Sequence, residues 1–339
     1  MTLPLEPPLA PQLARGKDAL PTGDGWSFEP KYDGFRAIVF VDGKEIRILS
    51  RGGKPLERYF PELTFPAGRY VLDGEIVIDA ASGAAESEDF DALSARIHPA
   101  ASRIERLSVE TPARYIAFDL LADGDAVLLD VPFAERRAAL EARFGIAPGS
   151  ATSTDDGPIT GPWAVGTTTS LAPSVGAAEL AERWLTGRGE GVVAKELAAP
   201  YLPGARKGML KIKRLRTADC VVAGWREGKE PGTVGSLMLG LYDDAGELRV
   251  VGHTSGLKAK EKRELVQTFA PYETGNRGSA DPSRWRPDEE LAWVELRPEL
   301  VVEVAYDQVS AGRIRHGAKL LRWRDDKPAA ECSTDQLEQ

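Results

Sequence analysis

Two cysteines in 339 residues, Cys220 and Cys332, are too few and too far apart for a disulfide framework or a cysteine-based zinc site. Histidine is nearly as rare. His98, His253 and His316 show no ligand spacing, which leaves them as surface or structural residues. No apolar run approaches the roughly 20 residues that span a bilayer. The opening MTLPLEPPLAPQLARGKDAL is too broken by proline and too charged for a secretory signal. Internal repeats and low-complexity tracts are missing too. Together these absences point to a reducing cytoplasm and to no membrane partner.

What is present fits an ordinary globular protein, with 42% hydrophobic and 28% charged residues and a length that suits two domains. The formal net charge of −9 argues at first against a polyanionic partner. The distribution of charge argues otherwise. RKGMLKIKRLR, 206–216, carries six cations and no acid, and RIRHGAKLLRWRDDK, 313–327, carries six more against two adjacent aspartates. A charge run is ordinarily a solvated face. Both of these alternate basic with apolar residues, which suggests strands with one charged face and localised phosphate sites on an acidic body.

The proline-rich residues 1–25 read as an extended lead-in with a short helix near Leu9–Leu13. WSFEPKYDGFRAIVFVDG and EIRILSRGG read as strands around a turn at Asp42-Gly43. RYVLDGEIVIDA and ARYIAFDLLADGDAVLL are further strands, the second folded at Asp123-Gly124. Helical spacing predicts a helix over Phe133–Phe144, just after Pro132, and a second in GAAELAERWLTGRG. Residues 146–175 read as loop. From Thr217 the texture changes to about five short strands with one helix, Lys258–Phe269, the pattern of a small partly open barrel. The expected domains are 1–216 and 217–339.

Chemistry centres on EPKYDGFR, 29–36. A lysine is a weak nucleophile while protonated, so a catalytic one needs desolvation or neighbouring cations. Arg36 is near in sequence, and Lys211 with Lys213 would add charge if their strand folds against Lys31. Gly34 would let the backbone bend behind the lysine. Taken alone, the motif favours a surface lysine beside a hairpin turn, because so short a pattern has many chance matches. Glu75 in LDGEIV and Glu190 in EGVVAK are carboxylates among apolar neighbours, suited either to a hard cation such as magnesium or to an ion pair with a basic strand.

In order the chain reads EPKYDGFR, SRGG, VLDGEIV, IAFDLL, EGVVAK, MLKIKR and RWRDDKP. This collinear set, spanning about 26–328, resembles the covalent nucleotidyltransferases: ATP-dependent DNA ligases, RNA ligases and mRNA capping enzymes. PPLAPQLARGKDALP and VGHTSGL are most similar to compact bacterial ligases of the C type. The resemblance implies an α+β fold, a nucleotidyltransferase domain of antiparallel sheets with flanking helices followed by an OB-fold barrel. It implies that Lys31 takes AMP from ATP, that Glu29 meets the adenine edge, and that Phe118 and Val193 sandwich the ring. Arg36 and Arg51 would bind ribose or phosphate, with Asp73 orienting an arginine. Lys195, Lys211 and Lys213 would clamp phosphates, Glu75 and Glu190 would hold Mg2+ or Mn2+, and Arg324 and Lys327 would grip pyrophosphate. Asp325 has no counterpart in the motif.

The implied substrate is nicked duplex DNA, sealed by a nucleoid-associated monomer, with repair polymerases or end-binding proteins as further partners. A hinge at Arg216–Asp219 would let the second domain turn between steps. An RNA ligase and a GTP-using capping-type enzyme remain alternatives. A non-catalytic DNA-end scaffold is a third, disfavoured by the intact Lys31, Glu75, Glu190, Lys211 and Lys213.

Overall fold

The computed structural model describes residues 1–79, 89–145, 163–165, 181–182, 184–185, 190–214, 216–280, 291–310, 312–315 and 317–337. The chain forms two units, Met1–Arg214 and Leu215–Gln339. No helix among the described residues is long and apolar enough to cross a membrane.

The first unit runs β1 (Arg15–Lys17), β2 (Trp26–Pro30), β3 (Phe35–Gly43), β4 (Glu45–Ser50), β5 (Gly68–Val77), α1 (Phe90–Ala95), α2 (Ala101–Glu110), β6 (Arg114–Asp123), β7 (Ala126–Val127), α3 (Phe133–Arg143), β8 (Trp163–Val165), β9 (Gly191–Glu196) and β10 (Met209–Lys213). Two sheets result. One has the order β1-β10-β9-β2, and the other β4-β3-β5-β6-β7 with β8 beside β6. In β3 the residues Ala37, Val39 and Val41 enter one core cluster and Ile38 and Phe40 another. Both faces of this sheet are therefore covered, which is why the strand reads as an unbroken apolar run. The four-stranded sheet is half covered. Phe28, Val192, Ala194, Leu210 and Ile212 pack into a core, and the alternate residues are left for chemistry.

WSFEPKYDGFRAIVFVDG is thus not one strand region but two strands in different sheets, parted at residues 31–34. The turn after Asp42 forms as expected, with Asp42 opposite Glu45 and Gly43 at φ 66°. α3 stops one residue short of the expected Phe144. No helix forms near Leu9–Leu13. Pro11 supplies no amide donor, and the segment instead bonds across to the 201–207 loop, Leu13 N to Ala205 O at 2.8 Å and Gly204 N to Pro11 O at 3.2 Å. The expected loop 146–175 is interrupted by β8, which pairs in parallel with Tyr115–Ala117; its remainder lies outside the described residues. So does most of the helix expected in 176–189, of which 181–182 and 184–185 are helical.

The second unit runs β11 (Arg216–Glu227), β12 (Val234–Tyr242), β13 (Leu248–Thr254), α4 (Ala259–Phe269), β14 (Glu273–Ala280), β15 (Leu291–Leu296), β16 (Val301–Tyr306), β17 (Val309–Ser310), β18 (Arg313–Ile314) and β19 (Lys319–Trp323). Seven strands join one sheet, rather than about five, because β14 and β15 add a hairpin that the sequence pattern does not announce. β11 is shared along its length: residues 216–221 pair with β16, and 221–227 with β12. A register shift at Val222/Gly224 marks an irregularity of the kind that bends a strand. Gly224 is required there because a β-carbon would meet the Trp293 ring at 2.2 Å. The result is an OB-like barrel around Val221, Leu237, Leu239, Val251, Phe269 and Val304. α4 matches the expected helix, with Lys258 as its cap. The hinge expected at Arg216–Asp219 falls on the paired start of β11, where rotation would break the ladder to Tyr306–Glu303. Arg214, between β10 and β11, is outside both strands.

Candidate active site

Register builds the site. Glu29 of β2 lies opposite Val193 of β9, which lies opposite Lys211 of β10, which lies opposite Gly16 of β1. Directly opposed residues share a face, so one row crosses the whole sheet. All four line a cavity of about 290 Å³, together with Lys31, Arg36, Arg51, Glu75, Phe118 and Lys195. Lys31 stands where the chain leaves this sheet for the other, its N–H bonded to Gly191 O at 2.9 Å. Gly34 is needed for proximity rather than for a sharp bend. A β-carbon there would lie 2.1 Å from Ile76 O and 2.8 Å from Glu75 Cγ.

The Lys31 amine is paired with Glu190, so a carboxylate joins the cations expected around it. Lys213 approaches the other Glu190 oxygen at 3.4 Å. Desolvation first, then Lys213 and Lys31, hold the Lys211 amine below its ordinary pKa. Glu75 is opposite Arg36, and burial pushes its carboxyl up to about 8 against the pull of Arg36 and Lys31. Asp73 is fully buried and accepts from Arg36 Nε and Nη2 at 2.6 Å each and from Tyr201 Oη at 2.6 Å.

Phe118 is the residue left over at a register shift between β5 and β6, where Asp73 faces Asp119 and Gly74 faces Ala117. Such a shift can re-aim a side chain. Its ring meets the Arg36 guanidinium at 4.4 Å and the Lys195 ammonium at 4.5 Å. Lys195 differs from the expected phosphate clamp. It is buried, pairs with Glu29 at 2.9 Å and donates to Phe118 O at 3.3 Å. Burial raises the Glu29 pKa, with Lys195 and Arg137 opposing, and Glu29 Oε1 has no hydrogen-bond partner among the described residues.

Among the described residues no group of three His, Cys, Asp or Glu side chains could hold a metal. Magnesium is held by one or two carboxylates when substrate phosphates complete its shell. Glu75 and Glu190, both in the electrostatic reach of Lys31, fit that smaller donor set. In the second unit Arg324 binds Asp219 at 2.7 Å and Asp326 at 2.8 Å, and Lys327 binds Glu331 at 3.0 Å. Arg322 pairs with Glu303 at 2.5 Å, and Asp325 is exposed.

Sequence reasoning missed the N-terminal strap. Gln12, Leu13, Ala14 and Gly16 wall the cavity, as do Tyr32, Arg206 and Met209. Gln12 N donates to Tyr201 Oη at 2.9 Å, tying the strap to the Asp73–Arg36 pair. The one available signal was β1 itself, a short basic segment after a run of prolines.

A lysine amine paired with Glu190 beside a cavity lined by Glu75, Lys211 and Phe118 fits the nucleotidyltransferase family that the sequence motifs resemble. Residues 7–213 match the ATP dependent DNA ligase domain and residues 230–327 the ATP dependent DNA ligase C terminal region. The chain belongs to the ATP-dependent DNA ligase family, and within it to the bacterial ligase C type. DNA ligase C1 of Mycolicibacterium smegmatis is 44% identical over 351 residues, covering 100% of this chain and 96% of that protein. DNA ligase C of Mycobacterium tuberculosis is 41% identical over 364 residues, covering 100% and 96%. A structure solved in a structure-function analysis of Lig E DNA ligases covers 93% of this chain and 99% of that chain, with a TM-score of 0.54 at 19% identity, a likeness of fold. The RNA-ligase and capping-enzyme readings give way to this family.

Proposed function

We propose that this ATP-dependent DNA ligase works through Lys31 and seals 5′-phosphate/3′-hydroxyl nicks in duplex DNA. Lys31 Nζ attacks the α-phosphate of ATP. The N–P bond forms, the bond to pyrophosphate breaks, and the amine gives up its proton. AMP then passes to the DNA 5′-phosphate, restoring the lysine, and the 3′-hydroxyl displaces AMP as the strand closes. The observation that carries this reading is the Lys31 amine paired with Glu190 beside a cavity walled by Glu29, Val193 and Lys211.

Glu29 Oε1, buried without a partner among the described residues, is an acceptor for an exocyclic amine such as that of adenine. Lys195 holds the other oxygen and so fixes the carboxylate. Phe118 and Val193 cover the base. Arg51 and Lys211 meet phosphates or ribose, and Lys213 stands behind them through Glu190. Arg36, locked to Asp73, offers a pre-set guanidinium rather than a mobile one. Glu75 and Glu190 would hold Mg2+ or Mn2+, which would offset phosphate charge when bound. Arg324 and Lys327 are assigned to the pyrophosphate. Phosphoryl transfer asks for positioning and charge stabilisation of this sort more than for covalent chemistry.

Incubation with α-labelled ATP, GTP or NAD, then denaturing electrophoresis, tests the first step. ATP alone should leave label on the chain, and Lys31→Ala should remove it; label persisting in Lys31→Ala would overturn the nucleophile. Sealing of nicked DNA but not nicked RNA tests the rest.

A further inference from the structure

Tyr201 is buried, and nucleotide transfer gives its phenol no proton to carry. A buried tyrosine ordinarily bonds its hydroxyl to whatever acceptor lies near, as Tyr115 does with Ala37 O at 3.1 Å. The Tyr201 hydroxyl has a more particular setting. It donates to Asp73 Oδ2 at 2.6 Å and accepts from Gln12 N at 2.9 Å, serving at once as donor and acceptor. Burial first, then the Asp73 charge, holds the phenol well above its ordinary pKa, which keeps it a donor.

The surroundings fix this hydroxyl in place. Tyr201 N donates to Leu129 O at 2.7 Å, and the ring packs with Ile38, Phe40 and Leu121. The Arg136 guanidinium lies 5.6 Å from the ring, and Arg136 is itself paired with buried Asp119, the neighbour of Phe118. The strap closes the remaining side. Leu3, Leu5 and Leu9 join the same cluster as Tyr201, and Gln12 Nε2 donates to Lys207 O at 2.5 Å. What the hydroxyl then fixes is Asp73. Arg36 gives Nε and Nη2 to this carboxylate, which leaves Nη1 as the guanidinium nitrogen for a ligand in the cavity that Arg36 lines. The plane of the fork follows the plane of the carboxylate, so a rotation of Asp73 would swing Nη1 away.

We propose that Tyr201 is a positioning residue for nucleotide transfer. Seated by the strap, its hydroxyl holds the Asp73 carboxylate in the plane that aims Arg36 Nη1 at the nucleotide. The inference rests on the reading of the cavity as the ATP site. It also gives the strap a task beyond walling that cavity, because Gln12 N is the donor that seats the hydroxyl.

The test measures labelling of the full chain over a range of α-labelled ATP concentrations, in a double-mutant cycle. Tyr201→Phe keeps the ring and removes the hydroxyl. Arg36→Lys keeps a cation beside Asp73 and removes the fork. Tyr201→Phe should lower kcat/KM for ATP roughly tenfold, the worth of a hydrogen bond to a charged group. In the Arg36→Lys background the same change should cost less than about twofold, because the fork it aims is gone. A phenol that served stability alone would lower labelling by the same factor in both backgrounds, and that result would overturn the proposal. So would Tyr201→Phe protein that labels like wild type. Melting curves report whether Tyr201→Phe is folded; if it is not, Gln12→Ala, which frees the strap and keeps the phenol, takes its place in the cycle. A smaller loss that needs Arg36 to be present supports the proposal there, and equal losses in both backgrounds, or none, overturn it. A wild-type chain that takes no label from ATP would sink the nucleotide reading itself, whereas a labelled wild type with an unaltered Tyr201→Phe sinks only the positioning role.

Discussion

The two units handle charge in opposite ways. In the first, cations are set against carboxylates deep in the fold: Lys195 with Glu29, Arg136 with Asp119 at 2.8 Å, and Arg36 with a fully buried Asp73. In the second, Arg249 with Asp243, Arg322 with Glu303 and Lys327 with Glu331 sit at the surface. Buried pairs are costly to break and hold their geometry, whereas exposed pairs are worth about 0–1 kcal/mol and exchange easily. One unit is built to keep its charges where they are, and the other to trade partners. That contrast suits the proposed reading, in which a cavity meets the same nucleotide each time and Arg324 leaves Asp219 and Asp326 for phosphate.

Substitutions can break or sharpen the contrast. The largest effect should come from Lys31→Arg, which keeps the charge and loses the nucleophile. Labelling by ATP should fall at least about a thousandfold, while the melting temperature stays near that of wild type. Next is Asp119→Asn, which leaves the buried Arg136 guanidinium without its ion partner. Urea denaturation should show the first unit destabilised by about 3–5 kcal/mol, and a loss under 1 kcal/mol would remove the rigid half of the comparison. Glu303→Gln, on the exposed side, should change the melting temperature hardly at all. A clear drop there would show that the second unit's pairs are as fixed as those of the first.

The smallest effect is a pH slope. His253 binds its proton less readily in the folded protein than in the unfolded chain, where the ordinary value is 6.5. The unfolded chain therefore takes up the proton first, and stability falls as pH drops below about 6.5. His253→Gln should lose that part of the acid sensitivity in melting curves without DNA, and an unchanged slope would show that burial, with Arg226 and Arg313, does not hold the imidazole pKa down.

Much of the fold was legible because local rules governed it. The turn at Gly43 follows from its Asp-Gly pair, and the helices α3 and α4 and the alternation that turns Lys211 and Lys213 away from Leu210 and Ile212 follow from spacing of two or 3.6. Phe118 was legible only through the family motif, since its direction depends on a register shift that no local pattern encodes. Tyr201 was not legible at all, since it meets Gln12 and Asp73 across 189 and 128 residues of chain. Lys195 was assigned to phosphates because its charge was visible and its partner was not; Glu29 lies on the neighbouring strand and claims it. The hairpin of β14 and β15 escaped because ETGNRGSA has neither alternation nor β-branched bulk to mark it.

The segment bearing Lys31 is also the thread passing from one sheet to the other, and its slack is taken up at Gly34 against Ile76. Any loosening of the seam between those sheets lengthens the reach of the amine before it unravels either sheet. Mild denaturant or pressure should therefore silence nucleotide capture while both sheets still give their native spectrum.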